Sequence, residues 1–150
     1  MLYRGISLAK SANGSGSQSQ DPDNWNREHV WAKSHGVAAS DLEAYTDIHH
    51  LRPTDMSVNS SRGNLDFDNS DAPLSEAPEN RVDADSFEPR DSVKCDVARM
   101  IFYMDTRYQG MDNTPDLTVV DRLTSTGEPN IGRLCRLLEW HAADPVDSFE

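Results

Sequence analysis

Cysteine is nearly absent from this chain: Cys95 and Cys135 are the two among 150 residues. So few thiols exclude a disulfide framework, and their wide separation lacks the short spacing of a zinc knuckle. Both are expected as buried free thiols, since a bridge would require the helices that carry them to lie side by side. Long apolar runs are missing too. None approaches the ~18 residues of a membrane span, and the opening MLYRGISLAK has no apolar core of the signal-peptide kind. Apolar residues make up 36% of the chain, below the usual share of a globular domain. Three Trp residues and several periodic apolar segments nevertheless exclude disorder. A chain of this length suffices for one core that buries roughly two-thirds of the unfolded surface. The expectation is a single soluble domain over residues 1–150, acting as a monomer.

Positive charge is also in short supply, and the formal net charge is -12. Taken whole, that argues against a nucleic-acid partner, because phosphate binders usually carry a basic footprint. The distribution reverses the argument. Residues 1–63 hold six Lys or Arg against seven Asp or Glu, whereas residues 64–150 hold eight against nineteen. The acid therefore lies outside the first part, where Arg27, Lys33, Arg52 and Arg62 can supply a local positive field.

Along the chain, Leu2–Ser7 reads as a short strand and residues 11–23 as a flexible Gly/Ser loop. Arg27–Trp31 and Ile48–Leu51 are strand candidates, the second ended by Arg52 and Pro53. Thr54 or Asp55 can cap a short helix through Val58 and Asn59. Residues 66–90, rich in Asp, Ser, Pro and Asn without period, read as a long acidic surface loop. A helix is predicted from an N-cap at Asp91 to about Tyr108. It has one stripe of Val93, Val97, Met100, Ile101 and Met104 and a second of Cys95, Ala98 and Phe102, so it is packed on both sides. Another helix is predicted over Ile131–Ala143, carrying Leu134, Cys135, Leu138 and Trp140 or His141 and stopping before Pro145. Val146–Glu150 has the look of a further helix start.

What is abundant is chemistry in two segments, NWNREHVWAKS from Asn24 and TDIHHLRPTDMSVNSSRGN from Thr46. Hydrolysis of a phosphodiester needs a base for water, a cation against the charge of the transition state, and help for the leaving oxygen. His29 suits the first task, because a neutral imidazole accepts a proton near neutral pH. Glu28 and the amide oxygen of Asn59 suit the second, since Mg2+ takes one or two oxygen ligands and keeps the rest of its shell for water and phosphate. Adjacent residues of a regular strand face opposite ways. Glu28 and His29 can share a site only if the strand bends there or the helix wraps its edge, and spacing does not choose between these.

The segments NWNREHVWAKSHG, YTDIHHLRPTDMSVNSSRGN, SFEPRDSVKCDVARMIFYMDTRY and LCRLLEWHAADPVDSFE, in that order, resemble the bacterial endonuclease I family of non-specific nucleases. The resemblance runs nearly end to end. It implies an α+β fold: a ββα-metal (His-Me finger) core with two further packed helices and long loops. It further implies Mg2+ held by Glu28 and Asn59, with Mn2+ or Ca2+ as alternatives, and His29 as general base. The activity implied is hydrolysis of DNA, and often RNA, to 5′-phosphate products, without a membrane partner. Family habit is secretion or the periplasm. The chain departs from its relatives in having Ala32 for Pro and Cys95 for Gly. It lacks their N-terminal and C-terminal extensions, so it is expected to be truncated at both ends.

Other polar residues of the two segments are candidates for support. Asp47, His49 and His50 are expected to orient the site through hydrogen bonds, with Asp47 and His49 on one face and His50 on the other. Arg62 as a catalytic group, and Arg52 with Asn64 as phosphate-binding ones, could contact phosphate oxygens. Which arginine does so stays open, because residues 37–45 contain none where some relatives place one. Arg27 is expected to face away and pair with acid. Two other functions compete. One is a metal- or nucleic-acid-binding domain without turnover. The other is a zinc hydrolase built from His29, His49 and His50, for which no helical HxxxH or HExxH spacing exists.

Overall fold

A computed structural model of the chain describes residues 1–14, 21–111 and 113–143. Its elements run β1 (Trp25–His29), α1 (Glu43–Thr46), β2 (Leu51–Asp55), α2 (Met56–Arg62), β3 (Asp66–Phe67), β4 (Ala72–Pro73), β5 (Arg81–Val82), β6 (Ser86–Glu88), α3 (Asp91–Arg107), β7 (Thr118–Val119), β8 (Asn130–Ile131) and α4 (Leu134–Ala143). This is a mixed α+β architecture. Its small sheets are β1-β2, β3-β6-β5-β4 and β7-β8, and no helix among the described residues is long and apolar enough to cross a membrane.

The two motif segments build one unit. β1 and β2 pair antiparallel with Glu28 opposite Arg52 and His29 opposite Leu51. α2 follows β2 directly and packs back on both strands. Asp55 makes that reversal, because its carboxylate accepts from the backbone N–H groups of Ser57 at 3.1 Å and Val58 at 3.4 Å. Donors left over at a helix start are satisfied in this way. Gly63 ends the helix at φ 57°, donating to the Asn59 carbonyl at 2.8 Å, in a backbone region that favours glycine. Pro53 sits inside β2 because that strand has a neighbour on one side only.

Both strands are displaced from their expected positions. β1 ends at His29, and Val30 and Trp31 enter the core in a bend, the Trp31 indole donating to the His35 carbonyl at 2.7 Å. The Ile48–Leu51 stretch is mostly turn, because the Asp47 carboxylate accepts the His49 N–H at 2.9 Å and folds the chain there. The strand expected at Leu2–Ser7 is a turn instead, closed by Gly5 N–H on the Met1 carbonyl at 2.9 Å. It drives Tyr3 fully into the core. Of the expected Gly/Ser loop, residues 15–20 lie outside the described residues, while Asn13 bridges to Trp25 beside β1.

Residues 66–90 depart furthest from expectation, contributing the four strands of the largest sheet rather than a surface loop. Phe67 and Phe87 are fully buried there. Their polar neighbours are buried with partners: Asp66 accepts from Gly132 N–H at 2.8 Å, and Asn80 donates to the Tyr3 carbonyl at 2.7 Å. α3 begins one residue earlier than predicted, with Arg90 rather than Asp91 at the cap, and buries Val93, Cys95, Val97, Ala98, Met100, Ile101 and Met104 as the double stripe requires. α4 begins at Leu134 because Ile131 pairs in β8, and it buries Leu137 and Trp140 while Leu138 points outward. α3 and α4 pack together, yet neither cysteine is in a disulfide, and Cys135 is exposed rather than buried. The expectations for Pro145 and Val146–Glu150 fall outside the described residues.

Candidate active site on the strand-strand-helix unit

Alternation along β1 sends Asn26 and Glu28 to one face, and α2 lies over that face. Asn59 donates its Nδ2 to Asn26 Oδ1 at 2.6 Å, and one turn further on the Arg62 guanidinium reaches 3.5 Å from Glu28 Oε1. Residues three apart on a helix thus meet residues two apart on a strand. Glu28 is almost entirely buried, at 2% exposure, and also accepts from the Tyr3 hydroxyl at 2.7 Å. Burial pushes its carboxyl above the usual carboxylate range, while Arg62 and Tyr3 hold that rise back. Arg62 is enclosed too, donating to the carbonyls of His29 and Val30 at 3.3 and 2.8 Å and lying over the Phe67 ring.

His29 ends β1 and turns to a different neighbourhood. Its ring packs against Tyr45 and His50, at centroid distances of 4.9 and 5.4 Å. Its Nε2 is 3.0 Å from the Tyr45 carbonyl oxygen. A carbonyl can only accept, so Nε2 carries the hydrogen and Nδ1 of the neutral ring holds the lone pair. Burial lowers the imidazole pKa to about 4; the Tyr45 carbonyl opposes that shift, and nearby His50, Arg27 and Lys33 add to it. The ring is therefore a neutral proton acceptor throughout the physiological range.

The remaining candidates separate by environment. His50 is buried with Nε2 on the Ala44 carbonyl at 2.7 Å and its ring edge toward His29. Asp47 instead ties its loop to α3, accepting from the hydroxyls of Tyr103 at 3.0 Å and Tyr108 at 2.7 Å and lying 2.8 Å from the His49 ring. His49 is exposed and stacks on Tyr103. Arg52 donates to the carbonyls of Ile48 and Leu51, both at 3.0 Å. Asn64 donates to Thr126 Oγ1 at 2.6 Å. Glu28, Asn59 and Arg62 are brought to one strand-helix face, with His29 and His50 together beside it. Asp47, His49, Arg52 and Asn64 are engaged with other parts of the chain.

Three contributors were not singled out from sequence. Asn26 was within reach, since it stands two residues before Glu28 and so shares its face. Tyr45 acts on His29 through a backbone carbonyl, which any residue could supply. Tyr3 meets Glu28 across a separation of 25 residues with no local pattern. As for metal, Asn26 fixes the Asn59 amide so that Oδ1 is presented as an acceptor, and one carboxyl with one amide oxygen is a donor set suited to a hard divalent cation. Among the described residues no cluster of three or more His, Cys, Asp or Glu could hold a metal, and His29, His49 and His50 do not converge as a zinc site would need.

Fold and site together define a mixed α+β protein whose strand-strand-helix unit carries a carboxyl, an imidazole and an amide. The chain belongs to the Endonuclease I family of phosphodiester-cleaving nucleases, whose model matches residues 3–150. It is 54% identical over 150 residues to an extracellular ribonuclease of Bacillus amyloliquefaciens. It is 51% identical over the same length to an extracellular ribonuclease of Bacillus subtilis (strain 168). Each match takes in 100% of this chain and 50% of the relative, so the chain spans about half the length of the curated relatives it matches.

Proposed function

We propose that this protein is a secreted, metal-dependent ribonuclease that hydrolyses phosphodiester bonds to 5′-phosphate products, with His29 as general base. One observation carries the proposal: the bond from His29 Nε2 to the Tyr45 carbonyl, which leaves Nδ1 as the proton acceptor of a buried neutral ring. RNA is preferred to DNA as substrate because both relatives bear the name extracellular ribonuclease, and the same name is the ground for secretion.

In this mechanism Nδ1 of His29 takes the proton of the attacking water, and the Tyr45 carbonyl steadies the imidazolium that results. His50, packed edge-on, keeps the ring from turning. Glu28 and Asn59 would hold the metal, Mg2+ or a similar hard cation, which when bound supplies positive charge against the developing phosphorane oxygens. Tyr3 and Arg62 fix the Glu28 carboxyl, and Asn26 fixes the Asn59 amide. The remaining candidate supports, Asp47 and His49, act by holding the loop that precedes β2 on α3.

The test is hydrolysis of RNA and of plasmid DNA by the full chain, with Mg2+ and with chelator. Chelator-sensitive cleavage that favours RNA and is lost in Glu28→Ala is the expected result. Cleavage unaffected by chelator would overturn the metal assignment, and faster cleavage of DNA than RNA would overturn the substrate assignment.

A further inference from the structure

Lys94, Arg107, Arg122, Arg133 and Arg136 each lie against a carboxylate within 4.0 Å, as an acid-rich chain makes easy. Arg27 and Lys33 do not. Both are exposed, and neither pairs with a carboxylate among the described residues. They converge instead on one ring: Arg27 Cζ is 5.2 Å and Lys33 Nζ 5.9 Å from the centroid of Tyr45. Arg27 also donates to the Tyr45 hydroxyl at 3.4 Å. The expectation that Arg27 pairs with acid is thereby corrected.

The location is what gives this cluster meaning. Tyr45 is the residue whose carbonyl holds His29, and its ring lies 4.9 Å from the imidazole. Two cations therefore lie at the surface beside the ring that packs on the candidate base. Like charges gathered around one ring repel, and an exposed cation over an aromatic face recovers only a small part of that cost. An external anion relieves that repulsion where the described residues supply none. Arg52 is a poorer candidate, because its Nη1 already serves two backbone carbonyls.

We infer that Arg27 and Lys33, set on the Tyr45 ring, form a phosphate-binding site for the backbone of single-stranded RNA next to His29. Arg27 can grip two phosphate oxygens as a fork, and Lys33 adds a movable point charge. With cations over the ring, Tyr45 serves as their platform rather than as a stacking surface for a base. The choice of RNA as ligand rests on the proposed nuclease function, whereas the cation geometry does not.

The test is binding of a fluorescent oligouridylate in chelator, with His29→Ala as parent so that cleavage does not intervene, over a range of salt concentrations. Adding Arg27→Gln and Lys33→Gln together should reduce the slope of log affinity against log salt by about 1.4, at ~0.7 per single-strand phosphate contact, and weaken binding roughly twentyfold at 0.1 M salt. The thermal midpoint should not move, since both side chains are exposed, and Arg122→Gln should leave the slope unchanged. An unchanged slope in the double variant, or a parent that does not bind the oligonucleotide, overturns the site. Failure of the nuclease proposal is read separately, as no cleavage of RNA by the unsubstituted chain in Mg2+.

Discussion

Replacing Arg62 with Met tests whether that guanidinium is a buried partner of Glu28 or a phosphate contact. Arg62 and Glu28 are 1% and 2% exposed, with 3.5 Å between Arg62 Nη1 and Glu28 Oε1, and Arg62 also serves the His29, Val30 and Gly63 carbonyls. Methionine fills similar space over Phe67 but leaves a buried carboxyl without its cation. Removing one partner of such a pair costs about 3–5 kcal/mol, a large fraction of the ~5–15 kcal/mol that holds a typical domain. Urea unfolding followed by tryptophan fluorescence measures the loss. The double variant Glu28→Gln/Arg62→Met should be less destabilised than Arg62→Met alone, because the uncompensated charge is gone. A cost below about 1 kcal/mol, the level of an exposed ion pair, would refute the burial argument. Loss of turnover at unchanged stability would return Arg62 to the phosphate.

Three further outcomes follow from the same geometry. His50 titrates near 6.5 when unfolded and is lowered to about 4 by burial when folded. Stability is therefore complete above about pH 6.5 and is lost as the pH falls toward 4, by roughly 3 kcal/mol at 1.36 kcal/mol per unit; His50→Gln should flatten the curve of urea stability against pH in that window, and an unaltered curve would contradict it. Asp55→Ala removes the cap of α2 and a partner 2.6 Å from Arg4, so it should cost about 2 kcal/mol, against less than about 0.5 kcal/mol if the cap is idle. Asn26→Ala frees the Asn59 amide to rotate and should raise the Mg2+ concentration for half-maximal activity with little effect on the activity at saturation. Unchanged Mg2+ dependence would separate Asn26 from the site.

What could be read from sequence was local. The Asp55 cap, the α3 double stripe and the order strand, strand, helix each depend on residues within a few positions of one another. Where long-range packing decides, sequence was a poor guide. Residues 66–90 read as loop because their polar side chains carry no period, yet those side chains are satisfied by partners as distant as Thr124, Gly132 and Tyr3. The two strands were displaced because turn chemistry at Asp47 and burial of Val30 and Trp31 outweighed local strand propensity. At the site, residue types pointed to Glu28, His29 and Asn59 as a set, whereas Asn26 was passed over although alternation puts it on the face of Glu28. The carbonyl that fixes the tautomer of His29, the Tyr3 hydroxyl on Glu28 and the meeting of Arg27 with Lys33 on Tyr45 arise only when the chain is folded.

The most direct test of the account is the turnover of RNA by His29→Ala, with folding checked by urea unfolding and binding checked in chelator. The variant should fold, still bind the oligonucleotide and lose about 10²–10⁴ in turnover, the usual contribution of a positioned base. Turnover within about twofold of the unsubstituted chain, a difference of only ~0.4 kcal/mol in barrier, would contradict it.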